Sequence, residues 1–334
     1  MTNYEEIISL GNLFLSWNEF RKGKNKKPDV KKFNLFLKDN IFRLHYELKS
    51  KTYIHFPYSS FYIRDPKLRH IHKACVKDRI LHHAVFRILY PIFNKSFIFD
   101  SYSCRNNKGT HRAINRLNHF ARKSSKNDTK TIYVLKLDIR KFFNSIDHNI
   151  LLSLIKKKIK DNDIIWLIEK IIKSFSRGLP LGNITSQLFA NIYLNELDYF
   201  IKHNLRTKHY IRYCDDFVIL DDNKEYLEEL ILQIDNFLKE TLKLSLHPDK
   251  IIIKKYHQGI DFLGYVSFPH HRILRTKTKK RMFKKISHKL RDLGQSKITE
   301  QSFNQTIQSY LGVLKHCNGY KLEKELSSLV KNYG

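Results

Sequence analysis

Acidic residues are scarce in this chain, and cysteine is scarcer still. Of 334 residues, 32 are Asp or Glu against 62 Lys or Arg, a formal net charge of +30. A compact fold with that excess repels itself unless a polyanion neutralises it, and nucleic acid is the obvious polyanion. An AT-rich genome would account for abundant lysine but not for the shortage of acids. The four cysteines, Cys75, Cys104, Cys214 and Cys317, form no CxxC pair, which argues against a zinc ribbon. Four lone thiols in a chain this long fit a reducing cytosol. No stretch of about 18 apolar residues is present, so no membrane span is expected. The opening MTNYEEIISL lacks the basic and apolar regions of a signal peptide. A soluble, cytoplasmic protein without a membrane partner is expected. There is no internal repeat and no long linker.

What is present is a large apolar and aromatic fraction. Hydrophobic residues make up 42%, with 23 Phe and 18 Tyr, enough for a real core. The length suits one large domain or two to three subdomains. Residues 1–55 read as helical, interrupted by a basic loop from Lys22 to Lys32. Alternation over 52–65 suggests a strand or hairpin, and 77–93 a helix ending near Pro91. IYVLKLDI (132–139) reads as a buried strand ending on Asp138. Helices follow at 147–160 and 162–175, then a loop at 178–182 and a long helix at 185–203. HYIRYCDDFVIL (209–220) reads as a hairpin with its acids at the turn. A helix at 224–241, strands at 245–255 and 259–268, and a basic helical tail from about 275 complete an interleaved α+β class.

Three carboxylates stand out. Asp138 ends an apolar strand, and Asp215 and Asp216 sit inside an apolar hairpin. Like charges there are costly to desolvate without a counter-ion. Divalent cations meet that need, and oxygen ligands point to Mg²⁺. Nucleotidyl transfer uses two such ions about 3.5–4 Å apart, bridged by at least two carboxylates. Asp138 and Asp215 are the expected bridging pair, with Asp216 as helper. A bare Asp-Asp pair also caps ordinary hairpins.

The order of boxes then resembles the reverse transcriptase family. YCDDFVIL (213–220) looks like its YxDD box, KLDIRKFFNSID (136–147) like the box of the first metal aspartate, and GLPLGNITSQLFANIYLNELD (178–198) like its GxPxGxxxSxxxxNxYL box. FYIRDPKLRHI (61–71) and SYSCRNNKGTHRAI (101–114) resemble fingers boxes; LSLHPDK (244–250) and FLGY (262–265) resemble the last palm boxes. The resemblance covers about residues 5–330. It implies a right-hand polymerase: an N-terminal helical extension (1–55), fingers (56–135 with part of 150–185), a palm with a small antiparallel sheet (136–268) and a short basic thumb (269–334). It implies an RNA-directed DNA polymerase using two Mg²⁺ ions, dNTPs, an RNA template and an RNA–DNA duplex.

It also implies roles by position. Asp138, Ile139 (through its carbonyl), Asp215 and Asp216 would hold metal. Lys250 would protonate pyrophosphate. Lys67, Arg69, Arg105, Phe143, Leu181, Gly182 and Gln187 would surround the dNTP, with Phe143 as steric gate. Phe262, Leu263, Gly264 and Tyr265 would grip the primer. A basic face or a core Phe is the plainer reading of the cations and of Phe143.

Many family members carry Gln before the central Gly of the PxG box and Pro after its Ser; here Leu181 and Gln187 stand in those places. LGNITSQ resembles the reverse transcriptases of diversity-generating retroelements, which lie in the group II intron-like lineage and copy a template repeat with errors opposite adenine. A defence enzyme copying a dedicated non-coding RNA is the alternative, and a non-catalytic RNA-binding scaffold a third. Only about 70 residues follow FLGY, too few for a maturase domain, so a mobile-intron protein is not expected. Phe143 and YCDD disfavour an RNA-dependent RNA polymerase. A structured RNA or an accessory protein is the expected further partner.

Overall fold

Helices open the chain because its apolar residues recur at helical spacing and its polar ones cap the ends. The computed structural model describes residues 3–64 and 67–331. Helices α1 (Asn3–Ile8), α2 (Leu10–Arg21), α3 (Pro28–Leu35) and α4 (Leu37–Lys49) come first. Ser9 caps α2, and Pro28 occupies the first turn of α3, where its missing N–H costs nothing. That proline starts a helix inside the stretch expected to be loop. The hairpin β1 (Ser59–Arg64) and β2 (Leu68–Lys73) follows, with most of its residues exposed. Asp65 and Pro66, part of the expected fingers box, lie outside the described residues.

Helix α5 (Val76–Asn94) runs three residues beyond Pro91 instead of ending there. A proline in the last turn forfeits one backbone bond, and burial of Leu89, Tyr90 and Phe93 carries the helix on. Then come α6 (Thr110–Ser124), β3 (Tyr133–Asp138), the short α7 (Phe142–Ser145), α8 (His148–Lys158) and α9 (Asn162–Lys173). Asp147 and Asp161 cap α8 and α9 through their side chains. Next are α10 (Ile184–Tyr199), β4 (His209–Tyr213), β5 (Asp216–Asp221) and α11 (Lys224–Leu242), the last capped by Asn223.

Two expected strands differ from their sequence-based bounds. In 245–255 only β6 (Ile252–Lys255) is strand, because Pro248 forces a 3₁₀ turn over Pro248–Lys250. The stretch 259–268 folds into two strands, β7 (Ile260–Phe262) and β8 (Tyr265–Ser267), at a tight turn where Leu263 and Gly264 take φ of 50° and 92°. A third strand, β9 (Arg272–Leu274), joins them, and α12 (Thr276–Gly294), α13 (Glu300–Leu314) and α14 (Tyr320–Lys331) close the chain.

The central sheet is antiparallel, in the order β4-β5-β3-β6. Side chains alternate across it with period two. Leu135, Leu137, Tyr210, Phe217 and Ile219 enter one core with α1, α2, α5 and α8–α11. Val134, Ile211, Val218 and Leu220 enter a second core with α6, the β7-β8-β9 sheet and α12–α14. This second face also carries Lys136, Asp138 and Asp216, one period further along the strands. No helix among the described residues is long and apolar enough to cross a membrane.

Candidate active site

Antiparallel pairing sets Asp138, the last residue of β3, directly opposite Asp216, the first of β5. The turn between β4 and β5 carries Cys214 at φ 58°, a left-handed conformation that costs a non-glycine residue energy. The Asp215 carbonyl accepts from Ile139 N–H at 3.1 Å, and the Asp138 carbonyl from His247 N–H at 2.8 Å. Both strand ends are thereby locked together, and the backbone of Ile139 is fixed beside the acids. Asp138 Oδ1 lies 2.6 Å from Lys250 Nζ, and Asp216 Oδ2 lies 3.6 Å from Lys136 Nζ. The second Asp216 oxygen is buried without a partner.

A buried ion pair holds the turn from beneath. Arg212, fully buried, donates to both carboxylate oxygens of Asp198 at 2.7 and 2.6 Å. It also donates to Ser101 Oγ at 3.1 Å and to the Cys214 carbonyl at 3.2 Å. Tyr210 donates to Asp198 at 2.8 Å. Burial alone would lower the Arg212 guanidinium; Asp198 more than offsets this and holds it above its ordinary value. The strained Cys214 residue thus has its carbonyl fixed by a side chain that cannot move.

The residues expected around the nucleotide do not form one shell. Arg69 and Leu181 line a cleft of about 580 Å³ with Lys141 and Asn144. Gly182 and Gln187 line a neighbouring cavity of about 520 Å³ with His72 and Arg79. The two are separated where His72 N–H donates to the Leu181 carbonyl at 3.0 Å. Lys67 faces elsewhere: with Arg64 it lines a cavity of about 830 Å³ opposite Lys277 and Lys284 of α12. Phe143 is half-buried against Phe142, ring centroids 5.3 Å apart. Its carbonyl accepts from Leu179 N–H at 2.7 Å. Gly178 sits so close that a Cβ there would collide with that carbonyl, so the GLPLG loop and the expected gate share one backbone seat.

Arg105 differs from the expectation of a triphosphate grip. Its guanidinium donates to Asn94 Oδ1, to the Ile98 carbonyl and to the Ser101 carbonyl at 2.6–2.9 Å. It closes the loop that brings Ser101 and Tyr102 against Arg212, where Tyr102 N–H donates to the Arg212 carbonyl at 2.9 Å. The primer-grip expectation is also divided. Phe262 and Tyr265 point into the second core. Leu263, Gly264 and Tyr265 line a cavity of about 700 Å³ with Lys108, Arg112 and Arg281.

The donor set suits a hard divalent cation. Burial, then the neighbouring Asp138, raises the Asp215 carboxyl above its ordinary value. Burial lifts Asp216 to about 6, partly opposed by Lys136 and reinforced by Asp138 and Asp215. Carboxylates raised in this way, with one orphaned oxygen, lack positive charge that a cation supplies. As they stand the three acids do not converge: among the described residues no three His, Cys, Asp or Glu side chains are arranged to hold one ion. The lysines occupy two of them. A carboxylate must be ionised to hold a cation, so protons compete below pH 6. If Asp216 is a ligand, the half-saturating concentration of a divalent cation, followed by titration calorimetry, should rise about tenfold per pH unit below 6 and level off above it. A flat profile from pH 5 to 7 would remove Asp216 from the site.

Sequence reading passed over Lys136, Arg212 and Asp198. Part of the signal was present, since each is a charge within a largely apolar stretch and a buried charge requires a partner.

Comparison with known proteins shows which family the chain belongs to. The family model for Reverse transcriptase (RNA-dependent DNA polymerase) matches residues 63–267. Protein YkfC of Escherichia coli is 26% identical over 285 residues, covering 73% of this chain and 71% of its own. The group II intron-encoded protein LtrA of Lactococcus lactis is 26% identical over 305 residues, covering 69% of this chain and 50% of its own. Telomerase from Candida albicans, solved with a fragment of telomeric RNA, superposes with a TM-score of 0.53 at 11% identity over 87% of this chain and 61% of that one. The last shows the right-hand polymerase fold, and the chain spans about half of LtrA's length. With the family model covering more than half of its residues, the chain belongs to the reverse transcriptase family, the RNA-dependent DNA polymerases.

Proposed function

We propose that this chain extends a primer 3′-hydroxyl with dNTPs on an RNA template, in the manner of a diversity-generating retroelement enzyme. The observation that carries the catalytic part is the placement of Asp138 opposite Asp216 at strand ends locked to the Asp215 turn. In this reading Asp138 and Asp215, helped by Asp216 and the Ile139 carbonyl, would hold the Mg²⁺ ions. When bound, the ions activate the 3′-hydroxyl and stabilise the departing pyrophosphate. Lys250, 2.6 Å from Asp138, would give the pyrophosphate its proton. Arg69 would reach the triphosphate from the fingers hairpin.

In the same reading the fingers span 56–135 with part of 150–185, the palm 136–268 and the thumb the residues from 269. The basic faces of hairpin and α12 would hold the template–primer duplex by its phosphates and shape. The N-terminal 55 residues and the tail would take a structured RNA or an accessory protein. Four free thiols suit a cytoplasmic location.

Phe143→Ala should admit ribonucleotides, lowering discrimination against rNTPs at least about tenfold in single-nucleotide incorporation. Unchanged sugar selectivity would remove Phe143 from the gate.

The diversifying role rests on Leu181 and Gln187. Leu181 offers no amide to the incoming nucleotide, so weaker geometric selection follows. Sequencing cDNA made on a defined RNA tests it: errors concentrated opposite adenine support diversification. Errors spread evenly over the four bases favour the defence reading.

A further inference from the structure

The strands that would carry the metal carboxylates and the hairpin that would grip the primer belong to two different sheets, β4-β5-β3-β6 and β7-β8-β9. Phosphoryl transfer demands that the primer terminus be held to within a fraction of an ångström of the reacting phosphorus. The sheets share an apolar core and the short connection 256–259, which is tied to Ile132 at the far end of β3; near the acids their contact is apolar, and hydrophobic contact is not directional. Something directional should join them beside the reacting centre.

Lys136 does so. It lies two residues before Asp138 on β3, so both side chains leave the same face. Its Nζ donates to the Asp261 carbonyl of β7 at 2.9 Å while standing 3.6 Å from Asp216 Oδ2. Most of the side chain is covered, and its ammonium stands 5.9 Å from the centroid of the Phe262 ring. The chain of contacts continues outwards. The Asp261 carboxylate pairs with Arg275, the residue before α12, and Arg275 N–H donates to the Gly264 carbonyl at 3.0 Å. One ammonium group therefore ties a candidate metal carboxylate to the backbone of the grip hairpin, and through Arg275 to the start of the thumb helix.

We propose that Lys136 is a positioning residue that sets the grip hairpin, and with it the primer 3′ end, against the metal carboxylates. This rests on reading Asp138, Asp215 and Asp216 as the metal acids. An ammonium has three donors and no acceptor, so a covered one seeks fixed acceptors. Here it has a carbonyl on one sheet and a carboxylate on the other. A methionine of similar length would keep the packing of the stem and lose both ties.

The test uses the full chain on an RNA template–DNA primer carrying 2-aminopurine at the primer 3′ end. In EDTA, Lys136→Met should raise the fluorescence of the terminal base, which reports its looser seating without any metal. With Mg²⁺, kcat should fall about 10- to 100-fold. KM for dNTP should stay within about threefold and half-saturating Mg²⁺ should not rise, because dNTP and metal contacts are kept. Lys136→Arg, which restores charge and donors, should recover kcat to within about fivefold of the parent. Lys136→Gln serves the same comparison where Lys136→Met does not fold.

Unchanged terminal fluorescence with kcat within twofold of the parent overturns the proposal. So does a tenfold rise in half-saturating Mg²⁺ with the terminal base undisturbed, which would make Lys136 part of the ion site only. An arginine variant no better than methionine also overturns it. Asp215→Asn run alongside separates the two levels: if the parent chain itself extends no primer, the polymerase reading falls first and the proposal with it. If the parent extends, Asp215→Asn does not, and Lys136→Met behaves as the parent, only the role of Lys136 falls.

Discussion

Asp215→Asn should lower nucleotide addition by about 10³-fold or more, because in the proposed reading it weakens the hold on the cation that neutralises charge in the transition state. The same change should not cost stability. Burial and Asp138 raise this carboxyl in the folded chain above its value in the unfolded one. A carboxyl raised on folding binds its proton more tightly in the native state, so its contribution worsens as pH rises through the shifted value. At neutral pH the ionised group opposes folding, and a neutral amide of the same shape relieves that opposition. The expected result is a dead enzyme whose thermal midpoint at pH 7 equals or exceeds the parent's. RNA affinity should be retained within about twofold, as the phosphate contacts lie elsewhere. A large loss of stability together with activity would mean that Asp215 is a structural turn residue.

Arg212→Met should have the largest effect on stability. It strands the Asp198 carboxylate, which is fully buried and accepts two bonds from the guanidinium. Removing one partner of such a pair costs about 3–5 kcal/mol. It also frees the Cys214 carbonyl, so the turn carrying Asp215 loses its fixed seat. Denaturant titration checks the first consequence and primer extension the second. Replacing both partners, Arg212→Met with Asp198→Leu, should recover part of the stability because no unpaired charge is left. Activity should stay low, since the tie to Cys214 is still missing. A single variant within about 1 kcal/mol of the parent would contradict the account of the buried pair.

Much of this arrangement was legible before any coordinates. Asp138 closing an apolar strand and Asp215–Asp216 within an apolar hairpin could be read because a strand's period and its turn chemistry are local properties. The helices α8, α9 and α11 likewise announce their starts with Asp147, Asp161 and Asn223. What escaped reading depends on contacts distant in sequence. Arg105 looks like a phosphate ligand until the loop from Asn94 folds back beneath it. Lys67 belongs to the same short box as Arg69, yet the hairpin's reach toward α12 places it in a different cavity. The break at Leu263–Gly264 was hidden because GIDFLGYVSF is mostly apolar, and a mostly apolar run does not distinguish one strand from a tight hairpin of two. The pairing of Arg212 with Asp198 spans 14 residues and a helix-to-strand connection, so no local pattern points one to the other.

The central claim is that these acids serve RNA-templated DNA synthesis. The measurement that meets it most directly is extension of a DNA primer on a defined RNA template by the purified chain, with Mg²⁺ and dNTPs, and with the product sequenced. The account predicts cDNA complementary to the template that appears with Mg²⁺ and disappears with EDTA. A chain that binds the RNA–DNA duplex tightly yet adds no nucleotide would contradict it and leave an RNA-binding scaffold.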